Sequence, residues 1–207
     1  MKIYYIWDAY CPWCYGFNRV LNKFYEKHQD FDIEVISGGM LVGERIKKLK
    51  ETQPPKYSLS EITDIYNVSF GEKYKNVLEI GEIVRNSHYP ANGFSILRGK
   101  IDKSKWLDVS FDIQSKYFMD GEDLGNIEIY LEIGEKYGVN VEELKLELEK
   151  GLHVENLEFE DFLKKQELNV KIYPSVRLEK NGELYDLRNG AYTVEELENN
   201  LGEIVNE

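Results

Sequence analysis

The sequence predicts an α/β chain with a βαβ unit at the front, a long helical stretch in the middle, and a return to β structure near the C terminus. Three observations carry that reading. The β-branched and aromatic run Ile3-Tyr4-Tyr5-Ile6-Trp7 opens the chain, apolar residues at helical spacing follow it and recur through the middle, and a second β-rich run surrounds Pro174.

The opening run is stopped by Asp8, as expected of a short buried strand. Phe17, Val20, Leu21, Phe24 and His28 then share one helical face. Phe31, Ile33 and Val35 alternate with Asp32, Glu34 and Ile36 in a second strand, which Gly38-Gly39 closes. Lys50 to Tyr57, with Pro54-Pro55, reads as a loop, after which Ile62, Ile65 and Tyr66 resume helical spacing. Trp106 to Met119 is ambiguous, because Leu107, Val109, Phe111 and Ile113 alternate as a strand would. Leu124, Ile127, Tyr130 and Leu131 mark a helix ended by Gly138, and Asn140 with Glu143 starts another through Leu144 and Leu148. Phe159, Phe162 and Leu163 mark one more. The chain has no internal repeat and no low-complexity segment.

Proline cannot donate to a sheet ladder, so Pro174 within Lys171-Ile172-Tyr173-Pro174-Ser175-Val176-Arg177-Leu178-Glu179 belongs at the start of a strand or on an edge. Asn181-Gly182 is a type I′ hairpin signal that joins this strand to Leu184-Tyr185-Asp186-Leu187. Thr193 and Glu196 form a capping box for a closing helix whose buried face is read as Leu197, Leu201, Ile204 and Val205.

Cys11 and Cys14 are the only cysteines in 207 residues, set as Cys11-Pro12-Trp13-Cys14 between the first strand and the first helix. The first turn of a helix carries unpaired N–H groups and the positive end of the helix dipole, so sulfur there is better tolerated as thiolate than as thiol. Cys11 is therefore expected to be the nucleophile. Pro12 suits the first helical turn, having a fixed φ and no N–H to satisfy. Cys14, about one turn on, can attack a mixed disulfide formed at Cys11, and Trp13 is expected to be exposed, with apolar contact area for a substrate chain. Two plainer readings compete. Half of a tetrahedral zinc site would need two further Cys or His ligands, and His28, His88 and His153 supply no H-x3-5-H pair. Two ordinary core cysteines would leave Pro12 without a packing purpose. No metal and no other cofactor is expected.

The segment Asp8-Ala9-Tyr10-Cys11-Pro12-Trp13-Cys14-Tyr15-Gly16-Phe17 resembles the active-site segment of DsbA-like thioredoxin-fold proteins, above all the cytosolic FrnE-like branch of protein disulfide isomerases. The resemblance extends over most of the chain through Gly38-Gly39, the helical stretch and the proline-containing strand, although only the CxxC segment is specific. It implies a thioredoxin fold with a helical domain inserted between the second strand and the cis-proline strand. Residues 1–41 and 168–207 would form the split thioredoxin-like domain and 42–167 the insertion, with Trp106 to Met119 as a helix. It further implies that Pro174 is a cis proline facing the CxxC, the backbone of Tyr173 pairing with a substrate strand laid across Cys11. A trans proline on an edge strand is the plain alternative. Cys11 and Cys14 would then be catalytic, and Pro12, Trp13, Tyr173 and Pro174 would bind substrate. Relatives usually carry a small or β-branched residue before this proline, so Tyr173 is a departure that bears on selectivity and redox potential. They also often place a buried carboxylate six residues before the first cysteine, where this chain has Tyr5. Asp8 matches the family's aspartate and is expected to cap the loop or meet solvent rather than relay protons. His28 is expected to be structural. His88, in Asn86-Ser87-His88-Tyr89-Pro90, resembles a segment flanking the groove but reads as a loop histidine.

A net charge of −12 argues against nucleic acid as a partner. Lys47, Lys48 and Lys50 are a local exception, read as a charged face. No run approaches the ~18 apolar residues of a membrane span, so no membrane partner is expected. Met1-Lys2 is followed by only five apolar residues before Asp8, which is unlike a signal peptide. With no cysteines left for structural bridges, a reducing cytoplasm is the expected location. The function expected is thiol-disulfide oxidoreductase or isomerase, exchanging with protein or small-molecule thiols and disulfides, glutathione among them. An adaptor that holds a client through the same groove, its cysteines sensing oxidants or idle, is a second class. A glutathione-dependent isomerase or transferase is a third, though such proteins typically carry serine in place of Cys11.

Overall fold

The computed structural model describes residues 1–52, 58–155 and 159–206. The chain opens with β1 (Lys2–Trp7), α1 (Pro12–Tyr25) and β2 (Asp32–Ser37). It continues through β3 (Lys47–Lys48), α2 (Leu59–Tyr66), α3 (Glu72–Ile80), β4 (Val84–Arg85) and α4 (His88–Arg98). Helices α5 (Trp106–Phe118), α6 (Ile127–Lys136), α7 (Val141–Gly151) and α8 (Phe159–Glu167) follow, and β5 (Ser175–Lys180), β6 (Glu183–Asp186) and α9 (Val194–Asn206) close the chain.

The main sheet has the order β2-β1-β5-β6, with β1 and β2 parallel and the other pairs antiparallel. Period-two alternation divides β1 between two layers. Ile3, Tyr5 and Trp7 join the larger core, which includes residues of α1 and α9, whereas Tyr4 and Ile6 pack with Ile36, Leu168 and Val170 on the opposite face. Helix α8 lies against β2. Ile3, Ile33 and Val35 are fully buried, and each such side chain stabilises the fold by roughly 1.5–3 kcal/mol relative to exposure. The parallel β1–α1–β2 unit sets the C-terminal end of β1 directly beneath the start of α1, which is where both cysteines fall.

Several expectations are corrected. Trp106 to Phe118 needs no correction, being helical as the resemblance implied despite its alternation, because α5 packs against α1, α4 and α6 and so buries residues around much of its circumference. Leu107, Val109, Ser110, Ile113, Gln114 and Tyr117 all lie inside. Helix α1 ends at Tyr25, so His28 sits in the turn beyond it, its Nε2 3.0 Å from a Glu198 carboxylate oxygen and its ring against Phe24 and Phe31. His88 begins α4 and is not in a loop. Val205, Phe162 and Leu163 are exposed, and the buried face of α9 is Leu197, Leu201 and Ile204. The loop reading around Pro54-Pro55 lies outside the described residues, and Lys50 itself falls in a short 3-10 turn.

The turn and cap signals hold. Asn181 and Gly182 both have positive φ, 54° and 86°, as a type I′ turn requires. Thr193 and Glu196 cap α9 reciprocally at 3.2 and 2.9 Å. Lys48 and Lys50 both pair with Glu82 and form a charged face. No helix among the described residues is long and apolar enough to cross a membrane.

Candidate active site

Cys11 is the N-cap of α1, with extended backbone (φ −91°, ψ 107°), and its Sγ accepts the N–H of Cys14 at 3.3 Å. A cap that offers sulfur in place of the usual oxygen directs an otherwise unpaired helix N–H at the reactive atom. Pro12 occupies the first helical position, where its missing N–H costs nothing. Both thiols are free, and Cys14 is wholly buried. Burial, then the hydrogen bond and charge of Cys11, push the Cys14 thiol well above the ordinary range. Cys14 is thus kept as a neutral thiol beside a sulfur that receives a helix N–H.

Asp8 builds the loop between β1 and α1. Its Oδ1 accepts the Tyr10 N–H at 3.0 Å, its Oδ2 accepts the Met40 N–H at 2.7 Å, and its backbone carbonyl accepts the Cys11 N–H at 3.1 Å. Of the two roles expected for Asp8, capping the loop or meeting solvent, the structure shows the first: it caps the loop and is buried. Burial raises its pKa, and the two backbone donors, the Ser87 hydroxyl and the charge of Lys165 draw it partly back. From α5, Gln114 donates its side-chain amide to the Asp8 carbonyl at 3.0 Å. Tyr5 lies under the motif and donates its hydroxyl to the Cys14 carbonyl at 3.3 Å. Burial holds that phenol well above its usual range, so it acts as a donor.

The peptide bond Tyr173-Pro174 is cis. The Tyr173 hydroxyl donates to the Gly38 carbonyl at 2.6 Å, and Lys165 Nζ donates to the same oxygen at 2.6 Å. A Cβ on Gly38 would stand 2.0 Å from the Tyr173 ring. The bulky residue before the proline is therefore accommodated by a missing side chain on the neighbouring strand end. We expect Gly38→Ala to cost about 1–3 kcal/mol by overpacking. Denaturant unfolding checks this, and Tyr173→Val in the same chain should recover part of the loss because the two sites are in contact.

Trp13 is half-buried, not exposed as expected: its ring lies edge-on to Tyr66 (centroids 6.1 Å apart) and near Tyr192 (6.3 Å). Gly16 permits this cluster, since a Cβ there would come within 2.3 Å of the Tyr66 ring. Arg188, just after β6, donates from Nη1 to the Pro174 carbonyl at 3.3 Å, with its guanidinium over Phe17 and Tyr192 at 5.1 and 5.6 Å. The fold thus gathers Tyr5, Asp8, Gln114 and Arg188 around the six residues named from the sequence. Gln114 had a signal, an amide within an apolar helical run. Arg188 and Lys165 had none. His153 bonds the Gly125 carbonyl at 2.8 Å and packs on Tyr89, and His28 packs near Glu198, so neither contacts the motif in this structure. No cluster of three or more His, Cys, Asp or Glu suited to a metal ion occurs among the described residues.

No protein-family model and no curated protein matches the chain. Solved structures do. The cytosolic disulfide reductase DsbM from Pseudomonas aeruginosa superposes with a TM-score of 0.77 at 19% identity, covering 100% of this chain and 98% of that one. A second structure of DsbM, with GSH, gives 0.77 at 17% over the full length of both chains. DsbA from Chlamydia trachomatis gives 0.60 at 10%, covering 99% of this chain and 86% of its own. A 2-hydroxychromene-2-carboxylate isomerase gives 0.64 at 15%, covering 99% and 96%. At such identities the likeness speaks to architecture, and it agrees with the sheet order, the CxxC at the start of α1 and the cis proline before β5. The chain has the DsbA-like thioredoxin fold.

Proposed function

We propose that the protein is a thiol-disulfide oxidoreductase of the DsbA-like type, working as a reductase of protein or small-molecule disulfides in a reducing cytoplasm. The observation that carries this reading is the pairing of a helix-capping sulfur, Cys11, with a buried neutral thiol, Cys14, one turn away. The Cys11 thiolate attacks one sulfur of a substrate disulfide, forming the mixed disulfide and releasing the first substrate thiolate. Cys14 then loses its proton and attacks Cys11 Sγ, which releases the second thiolate and leaves Cys11–Cys14 oxidised. Two electrons pass to the substrate, and two molecules of a small thiol such as glutathione return them by the reverse sequence, leaving joined as their own disulfide. Residues 1–41 and 168–207 serve as the redox domain and 42–167 as the insertion, with Pro12, Trp13, Tyr173 and Pro174 bordering the bound chain.

Support for a reductive cytoplasmic role comes from the absence of further cysteines and from the likeness to a reductase described as cytosolic. The FrnE-like assignment rests on the motif alone. Insulin reduction in the presence of glutathione tests the reading. The expected result is turnover by the wild-type protein and none by Cys11→Ser, and full activity in that variant would overturn the mechanism.

A further inference from the structure

Arg188 is a half-buried guanidinium in a chain with 38 acidic residues, yet among the described residues no carboxylate pairs with it. Asp186, two residues away, is taken by Arg177 at 2.8 Å. Its Nη1 donates to the Pro174 carbonyl at 3.3 Å, and Nε is buried with no partner among the described residues. The Tyr66 hydroxyl lies beside the same guanidinium: burial pushes its pKa up to about 12, and the charge of Arg188 and a hydrogen bond from it draw it partly back. Charged groups taken out of water are ordinarily paired, because desolvation without compensation is costly. Here a guanidinium and a phenol hydroxyl lie side by side with no anion against them among the described residues. The arginine is also held in place: Asn200 donates to its backbone carbonyl at 2.9 Å, and the rings of Phe17 and Tyr192 flank the guanidinium. Tyr192 reaches Trp13, which lies between the two cysteines.

We propose that Arg188, with the Tyr66 hydroxyl beside it, receives a carboxylate of a small acidic thiol or disulfide, a γ-glutamyl tripeptide of the glutathione type, while that ligand's sulfur meets Cys11. The inference rests on the redox reading and deepens it by naming the residue that selects the substrate. A planar guanidinium suits a carboxylate, which accepts two parallel N–H bonds from it. Tyr66 and Tyr192 also form part of the wall of an open cleft of about 470 Å³ between α1, α2 and α5, where the rest of such a ligand has room. Its border carries Arg19 and Lys23 against Glu26 and Asp108, so it does not repel anions as the chain's net charge would.

The test compares glutathione disulfide with the neutral bis(2-hydroxyethyl) disulfide. Arg188→Gln should lower the second-order rate constant for oxidation of the reduced protein by glutathione disulfide about tenfold more than that for the neutral compound, the scale of one lost charge-assisted hydrogen bond, and Arg188→Lys should recover part of that difference. Equal losses on both substrates would mean that Arg188 merely holds the Pro174 loop, and would overturn the proposal. On the unaltered protein, S-methylglutathione should compete with glutathione disulfide and its dialkyl ester should not. Equal inhibition by both would also refute it, whether or not the variants fold. A wild-type protein inert toward both disulfides would sink the redox reading itself, a result distinct from turnover without discrimination.

Discussion

Replacing Cys14 with serine should leave the protein covalently joined to its substrates. Cys11 remains at the helix start and still attacks, but no other cysteine exists in the chain to release the adduct. A serine hydroxyl does not break disulfides under these conditions, so turnover falls to the rate at which external thiols free the complex. Mass spectrometry without reductant should show the adduct on Cys11, and wild-type turnover by Cys14→Ser would contradict the assigned order of attack. The intact pair carries a linked pH prediction. Because burial, which persists in the mixed disulfide, holds the Cys14 thiol above the ordinary range, only a small fraction is ionised at neutral pH. Release of a preformed mixed disulfide should therefore accelerate about tenfold per pH unit until that raised value is reached. Single-turnover measurements from neutral to alkaline pH check the slope.

The largest stability effect is expected at Arg98. Its Nη2 donates to Asp161 Oδ1 at 2.7 Å and its Nη1 to the Val35 carbonyl at 3.1 Å, while Asp161 Oδ2 accepts the Ser37 N–H at 2.8 Å. This buried pair ties α4 and α8 to the end of β2. Arg98→Met leaves Asp161 charged, buried and uncompensated, at a cost of roughly 3–5 kcal/mol, or about 6–20 °C in Tm for a chain of this size. Burial raises the Asp161 pKa above 3.8, and Arg98 is the chief influence drawing it back. A carboxyl with a raised folded value binds its proton more tightly in the native state. Its contribution to stability is therefore greatest below the unfolded value and is lost as pH rises through the folded one. Removing Arg98 lifts the folded value further. The deficit of the variant should be largest near neutral pH and shrink on acidification, as thermal melts across that range would show. An unchanged Tm would mean that Asp161 is compensated elsewhere.

Much of this architecture could be read from residues. The β1–α1–β2 unit, the Asn181-Gly182 hairpin and the α9 capping box each rest on local rules that tertiary context did not override. Helix α5 shows where such reading fails: periodicity reports burial on one side, and a helix enclosed by three others loses its polar stripe. Helices α3 and α4 were missed because their apolar positions are few and interrupted. At the site, Cys11 and Cys14 were legible from spacing and residue type, whereas the cis Pro174 was implied only by the family resemblance. Asp8 was recognised as a cap, but its burial was not, because that depends on Met40 and Ser87 arriving from distant segments. Arg188 was invisible for the same reason, since it reaches the Pro174 loop only once the sheet is assembled.

The amide of Gln114 steadies the turn that presents the reactive sulfur, and it reaches that turn from more than a hundred positions downstream. Anyone trimming this polypeptide to a minimal redox module by excising what lies between the two halves of the sheet would remove a strut of the catalytic apparatus. The excised piece is a buttress, not an ornament. A graft of the ten-residue motif onto a bare scaffold should inherit its thiols without their posture.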